Sequence, residues 1–211
     1  MLPRLPSPPS VDSAYLQFLD QAKAKGFTGD ISTSYRDRLV HATDNSIYQV
    51  LPQAVCFPKT SDDISCLLKL MGLEQFRHIK AAPRGGGTGT NGQSLTSGLV
   101  IDCSRHMRRV LEINVEQGWA RVEAGVVLDQ LNAQLKPLGF FFAPDLSPSN
   151  RATIGGMVNT DACGKGSRVY GKTSQHILEL RGYKRTYMSS FTRKSGLFSS
   201  LKPLISLPAI H

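Results

Sequence analysis

The sequence has no CxxC pair. Its four cysteines stand at 56, 66, 103 and 163, a spacing that gives metal or iron–sulfur binding no local support. The five histidines, His41, His78, His106, His176 and His211, are scattered in the same way, and no role follows for any of them. No apolar run approaches the roughly 20 residues that span a bilayer. Residues 1–10 carry four prolines and an arginine instead of an apolar segment, so they do not read as a secretory signal. The expectation is a cytoplasmic protein, or one peripheral to a membrane, without a transmembrane segment. A disulfide is not expected in that compartment. Cys56, Cys66 and Cys103 lie in apolar runs and read as small buried hydrophobes.

Acids are missing altogether after Glu179. Residues 1–179 hold nineteen Lys/Arg and all sixteen Asp/Glu, leaving +3, whereas residues 180–211 hold six Lys/Arg and no acid. Two thirds of the net charge of +9 therefore sits in the tail. A basic tail can attract nucleic acid or acidic lipid. These charges follow no helical or groove-like pattern, so no specific nucleic-acid partner is expected.

What is present is an ordinary soluble composition, 40% hydrophobic over 211 residues, enough for one substantial core or two small subdomains. Asp12 or Ser13 can cap a helix whose apolar face is Tyr15, Phe18, Leu19 and Ala22, ended by Gly26. A short helix is expected around Arg36–Arg38. Ala54–Phe57 reads as a buried strand stopped by Pro58. Ser61 is read as the cap of a helix with Asp62 and Asp63 in its first turn, where they suit the helix dipole. Strands are expected at residues 79–82 and 99–102. Residues 110–114 and 119–124 alternate like a hairpin turning at Gln117-Gly118. Val127, Leu128, Leu131 and Leu135 mark a further helix, and Phe140–Phe142 an apolar plug that reads as core.

Between the strands at 79–82 and 99–102 lies Pro83-Arg84-Gly85-Gly86-Gly87-Thr88-Gly89-Thr90-Asn91-Gly92-Gln93. It holds five glycines in eight positions. Successive N–H groups in such a loop can form an anion-binding nest, and a phosphate or pyrophosphate is the natural guest. Residues 87–92 also spell GxGxxG. The six residues that follow, five of them polar or glycine, cannot form the crossover helix of a parallel βαβ unit, so a Rossmann fold is rejected. Residues 145–168 read as a second glycine-rich loop, turning tightly at Gly155-Gly156. Gly166 to Thr173 matches GxxxxGK[ST], the Walker A string. No good strand precedes it and no apolar run ending in Asp follows to hold Mg²⁺.

The loop PRGGGTGTNGQ resembles the pyrophosphate loop of FAD-binding domains of the p-cresol methylhydroxylase type, the vanillyl-alcohol oxidase group. Residues 144–173, PDLSPSNRATIGGMVNTDACGKGSRVYGKT, are similar to that family's second flavin loop. Residues 43–64, TDNSIYQVLPQAVCFPKTSDDI, match the stretch that precedes the first. Within the group the likeness is nearest to the N-terminal part of large bacterial FAD and iron–sulfur D-2-hydroxy-acid dehydrogenases, the D-2-hydroxyglutarate type in particular. The resemblance implies an α+β fold, a PCMH-type FAD-binding domain of two α+β subdomains, the second incomplete. Residues 1–47 would be a helical leader, 48–180 the FAD domain (subdomains from about 48 and about 106), and 181–211 a basic tail unlike the family.

The same resemblance implies the cofactor contacts. In the first loop these are Arg84, Gly85, Gly86, Gly87, Thr88, Gly89, Asn91, Gly92 and Gln93. In the second they are Pro144, Thr153, Gly155, Gly156, Asn159, Ala162, Gly164, Tyr170 and Gly171. Thr88 stands where some members attach FAD through histidine and cannot form that bond, so non-covalent FAD is implied. A small 2-hydroxy acid would be the substrate only in a full-length context, and no catalytic residue is assigned. After Leu180 the alternation and the resemblance both break off, as a frame change or early end of a longer reading frame would produce. Two alternatives stand beside this reading: nucleotide binding at Gly166–Thr173, and a non-catalytic basic binding protein whose glycine loops are only turns.

Overall fold

Apolar periodicity builds the first half of the chain around a four-stranded sheet. The structure, a computed structural model, describes residues 9–183, 188–192 and 204–206. Helix α1 (Ser13–Ala24) starts where the Asp12 carboxylate accepts from the Ala14 N–H at 2.8 Å. It stops before Gly26, whose φ of +92° favours glycine. Strand β1 (Asp30–Ser32), helix α2 (Tyr35–Val40), strand β2 (Ala54–Phe57) and helix α3 (Ser61–Met71) follow. Strands β3 (Ala81–Arg84) and β4 (Leu99–Asp102) complete the sheet in the order β1-β2-β4-β3. Both β2 and β3 run parallel to β4, and β1 pairs antiparallel to β2. The two interior strands are buried throughout. Phe18, Leu19 and Ala22 of α1 and Leu67, Leu70 and Met71 of α3 cover one face over Cys56, Leu99 and Ile101.

Three local expectations shift. Thr60, not Ser61, caps α3, in a capping box with Asp63, because only Thr60 has the extended backbone that aims a hydroxyl at the third N–H. The strand expected at 79–82 begins at Ala81, since the Ile79 N–H is held in a turn by the Phe76 carbonyl at 3.0 Å. Pro83 is accommodated because β3 lies at the sheet edge. The expected helical leader also supplies β1, and its helix α1 joins the core of the first sheet.

The second half carries β5 (Val110–Asn114), β6 (Trp119–Val122), α4 (Leu128–Leu135), α5 (Ile154–Asn159), α6 (Ser167–Tyr170), β7 (Ile177–Tyr183), β8 (Met188–Thr192) and β9 (Leu204–Ser206). Its sheet has the order β5-β6-β9-β7-β8, with every pair antiparallel. Gly118, φ +64°, turns the β5–β6 hairpin. Leu128, Leu131 and Leu135 of α4 and Ile154 and Met157 of α5 pack with Ala120, Val122 and Ile177, and Phe142 joins this core. The fold is α+β with two sheet-centred halves.

Residues 145–168 are not all loop. Thr153 caps α5 and accepts from Gly156 N–H, so Gly155-Gly156 opens a helix instead of turning tightly. The break expected after Leu180 falls inside β7, and β8 and β9 join the same sheet. Lys184, Arg185, Arg193, Lys194 and Lys202 of the basic tail lie outside the described residues. All four cysteines are free; Cys56 is buried, Cys66 and Cys103 are half-buried, and Cys163 is exposed. Among the described residues no group of His, Cys, Asp and Glu is placed to hold a metal. No helix of the described residues is long and apolar enough to cross a membrane.

Candidate functional site

Strands β3 and β4 end side by side, with Arg84 and Asp102 as register partners. The glycine loop leaves from Arg84, beyond the C-terminal ends of parallel strands, where α/β sheets commonly bind ligands. It meets residues 151–156 of the second half. A Cβ on Gly86 would run into the Arg151 carbonyl, and one on Gly85 into the Thr153 hydroxyl. Arg151 Nη2 donates to the Gly86 carbonyl at 3.3 Å across the same contact. Gly86 therefore lets the halves touch backbone to backbone, and Gly85 makes room for the Thr153 side chain. Gly155 makes a matching approach to Ala124, and Gly164 to the Asp145 carbonyl.

A cavity of about 790 Å³ opens between the two glycine segments. Its first wall holds Arg84, Gly85, Gly86, Gly87, Thr88, Gly89, Asn91 and Gln93. Its second holds Thr153, Gly155, Gly156, Asn159, Ala162 and Gly164. Four selected residues are not on it. Gly92, φ +69°, turns the loop against the Tyr48 ring. Pro144 is buried behind the wall. Tyr170 sits edge-on to Phe141 at 5.3 Å and gives its carbonyl to His176. Gly171, φ +84°, turns the chain against Gln175. The wall also includes Ser147, Pro148, Thr160, Cys163 and Ser94, none of them among the contacts that the family resemblance implies. Ser147 and Pro148 stood within the PDLSPSN run; Ser94 and Thr160 had no local signal.

Among the described residues no carboxylate lines this cavity, and Arg84 is its one lining cation. Arg84 Nη1 is buried without a hydrogen-bond partner. Burial pulls the guanidinium below the usual arginine value, Asp102 and Asp44 oppose that, and Arg151 adds to it. Cys103 also lines the wall; burial, with Asp102 nearby, pushes its thiol up to about 12, so it presents a neutral surface. A cation with unspent donor capacity, two glycine-lined walls and no acid suit an anionic, elongated guest. Residues 52–184 match the FAD binding domain family. The chain belongs to this family.

FAD is the cofactor of such a domain, and the residues present fit it: small walls admit it, and the orphaned Arg84 donor awaits an anion. The chain is 61% identical over 181 residues to a D-2-hydroxyglutarate dehydrogenase of Pantoea ananatis, covering 86% of this chain and 18% of that protein. It is 57% identical to the Escherichia coli protein of that name over the same shares. The chain thus spans under a fifth of the length of these curated relatives. A solved alkyldihydroxyacetonephosphate synthase superposes with a TM-score of 0.80 at 18% identity, over 97% of this chain and 42% of that one. At that identity it shows the fold alone.

The Walker A string is not a phosphate loop. Its middle residues form α6, and the Thr173 hydroxyl is buried, donating to the Ala162 carbonyl at 2.7 Å. Lys172 Nζ lies 3.9 Å from Asp161. A P-loop needs free successive N–H groups before its helix, and here the helix precedes the lysine. The reading as a binding protein with mere glycine turns gives way to the FAD-binding family match.

Proposed function

We propose that this chain is the cofactor-binding portion of a flavin-dependent oxidoreductase acting on a D-2-hydroxy acid, 2-hydroxyglutarate before lactate or glycolate. The observation that carries the FAD seat is the acid-free cavity with its unpartnered Arg84 between the two glycine segments. The substrate class rests on the names of the relatives at 57–61% identity. FAD supplies hydride acceptance when bound; the protein binds and orients it. The N–H groups of residues 85–89, with the Thr88 hydroxyl, would hold the diphosphate. Gly155, Gly156, Asn159, Ala162 and Gly164 would line its other side, small enough to allow close approach. Thr88 offers no nucleophilic nitrogen, so attachment is non-covalent. The substrate site and the base for the hydroxyl proton are proposed to lie in the remainder of a full-length protein.

Incubation with FAD, desalting and an absorbance spectrum test this. A retained flavin band released by acid is the expected result. A colourless wild-type chain with native secondary structure would overturn the reading.

Cys163 offers a second check. It is exposed and lines the cavity, whereas burial pushes the Cys56 thiol up to about 12, as at Cys103, and also raises Cys66. Thiolate is the reactive form. Maleimide is expected to label Cys163 first at neutral pH and to label it more slowly once FAD is bound. Unchanged labelling of Cys163 with FAD bound would place the cofactor elsewhere.

A further inference from the structure

Beneath the glycine loop, three elements bring charged residues together that no local sequence pattern connects. The Arg84 guanidinium lies under Gly87, where an added Cβ would strike Nη2. Its strand neighbour is Asp102, and Asp44 also acts on it electrostatically. Neither forms a direct ion pair with Arg84, because each is engaged elsewhere. Asp102 Oδ2 accepts from His41 Nε2 at 3.0 Å, and Asp102 Oδ1 accepts from the Ser104 N–H at 2.7 Å and its hydroxyl at 2.6 Å. Asp44 accepts from the Ser46 N–H at 2.8 Å and the Ser94 hydroxyl at 3.2 Å. His41 is itself fixed, its Nδ1 2.8 Å from the Asp37 carbonyl oxygen and its ring edge-on to Phe57. His41 and Asp102 are 8% and 6% exposed.

We infer that His41 is a positioning residue for the cofactor's diphosphate: by occupying Asp102, it keeps Arg84 unpaired beneath the loop and available to an anion above it. Burial opposes ionisation of Asp102, but hydrogen bonds from His41 and Ser104 outweigh it and hold the carboxyl below the usual carboxylate range. Asp102 is therefore a ready acceptor. Without His41, its freed Oδ2 captures the adjacent guanidinium, since a charge-assisted hydrogen bond is about twice as strong as a neutral one. The guanidinium then turns from the loop toward β4, and its charge is neutralised before any ligand arrives.

The inference rests on the FAD reading above, and the test separates the two. FAD is titrated into the full chain by flavin fluorescence, for wild type, His41→Phe, Asp102→Asn and the double variant. His41→Phe is expected to weaken FAD binding about tenfold, the effect of one charge-assisted contact. Adding Asp102→Asn in that background is expected to restore affinity to within about threefold of wild type, a difference below one such contact. Simple damage to packing predicts the opposite, a double variant at least as weak as the single. That result, or unchanged affinity in His41→Phe, overturns the inference while leaving the FAD site standing. A wild-type chain that binds no FAD overturns the functional reading itself. Should His41→Phe fail to fold, Ser104→Ala removes the hydroxyl from the other Asp102 oxygen and leaves it only the residue 104 N–H; a smaller loss with the same rescue by Asp102→Asn is expected, and their absence is equally decisive.

Discussion

Replacing Gly86 by alanine is expected to cost this protein its flavin. The added Cβ would collide with the Arg151 carbonyl, and the next nearest atoms are the Arg151 carbonyl carbon at 2.8 Å and the Ala152 nitrogen at 3.6 Å. All three are backbone, so no side chain can swing away. Relief requires the glycine loop to part from the second half, opening the seam that closes the cavity. Overpacking of this kind costs about 1–3 kcal/mol, or roughly five- to 150-fold in affinity if the loss falls on the bound state. FAD titration of Gly86→Ala measures it. Gly139→Ala is the control: Gly139 has φ +80° and nothing within 4 Å of an added Cβ. It is expected to lose a little stability through backbone strain and keep wild-type FAD affinity. Equal affinities for the two variants would show that the seam does not shape the site.

Asp63→Ala is expected to be the most destabilising single change in the first half. Asp63 is 2% exposed. Its carboxylate accepts from the Thr28 N–H at 2.6 Å and hydroxyl at 3.0 Å, the Lys59 N–H at 2.8 Å and the Thr60 N–H at 3.0 Å. One side chain thus fixes the entry to β1, the turn before α3 and the α3 cap. Alanine would leave these donors unsatisfied, at a cost of about 3–5 kcal/mol. Thermal unfolding reads it as a drop of roughly 10 °C for a chain of this size.

Acid should act on the same group. Burial opposes ionisation of Asp63, but the hydrogen bonds from Thr28, Lys59 and Thr60 prevail and hold its carboxyl below the ordinary value of 3.8. A carboxylate with a depressed folded value stabilises the protein above the unfolded value and loses that contribution as pH falls through the folded one. Stability is therefore expected to decline below about pH 4, and less steeply in Asp63→Asn. Parallel acid curves for the two proteins would remove Asp63 from this account.

The first sheet was largely legible because its signals are local. Ala54–Phe57 and Leu99–Asp102 are short apolar runs between turn residues, and they form the two interior strands. The α1 cap, face and stop lie within fifteen residues of one another and appear as read. Helix α5 was not legible. Its two glycines are poor helix formers, and their reason is tertiary: Gly155 must approach Ala124, and Ile154 and Met157 must bury in the second core.

The sequence by itself determined the two glycine-rich stretches that line the cavity, since glycine runs flanked by small polar residues carry their own backbone chemistry. It also determined that Thr88 offers no histidine nitrogen to a flavin. Only the tertiary structure decided what the individual residues do. Gly85 and Gly86, read as an anion nest, also serve the contact between the halves, because the atoms they must clear belong to residues 151–153. His41 had no role on sequence grounds, yet it lies hydrogen-bonded to Asp102, 61 residues away. Whether Arg84 is neutralised or free depends on which of its neighbours are already engaged. That is a property of distances across strands and loops, which no pattern along one stretch of chain encodes.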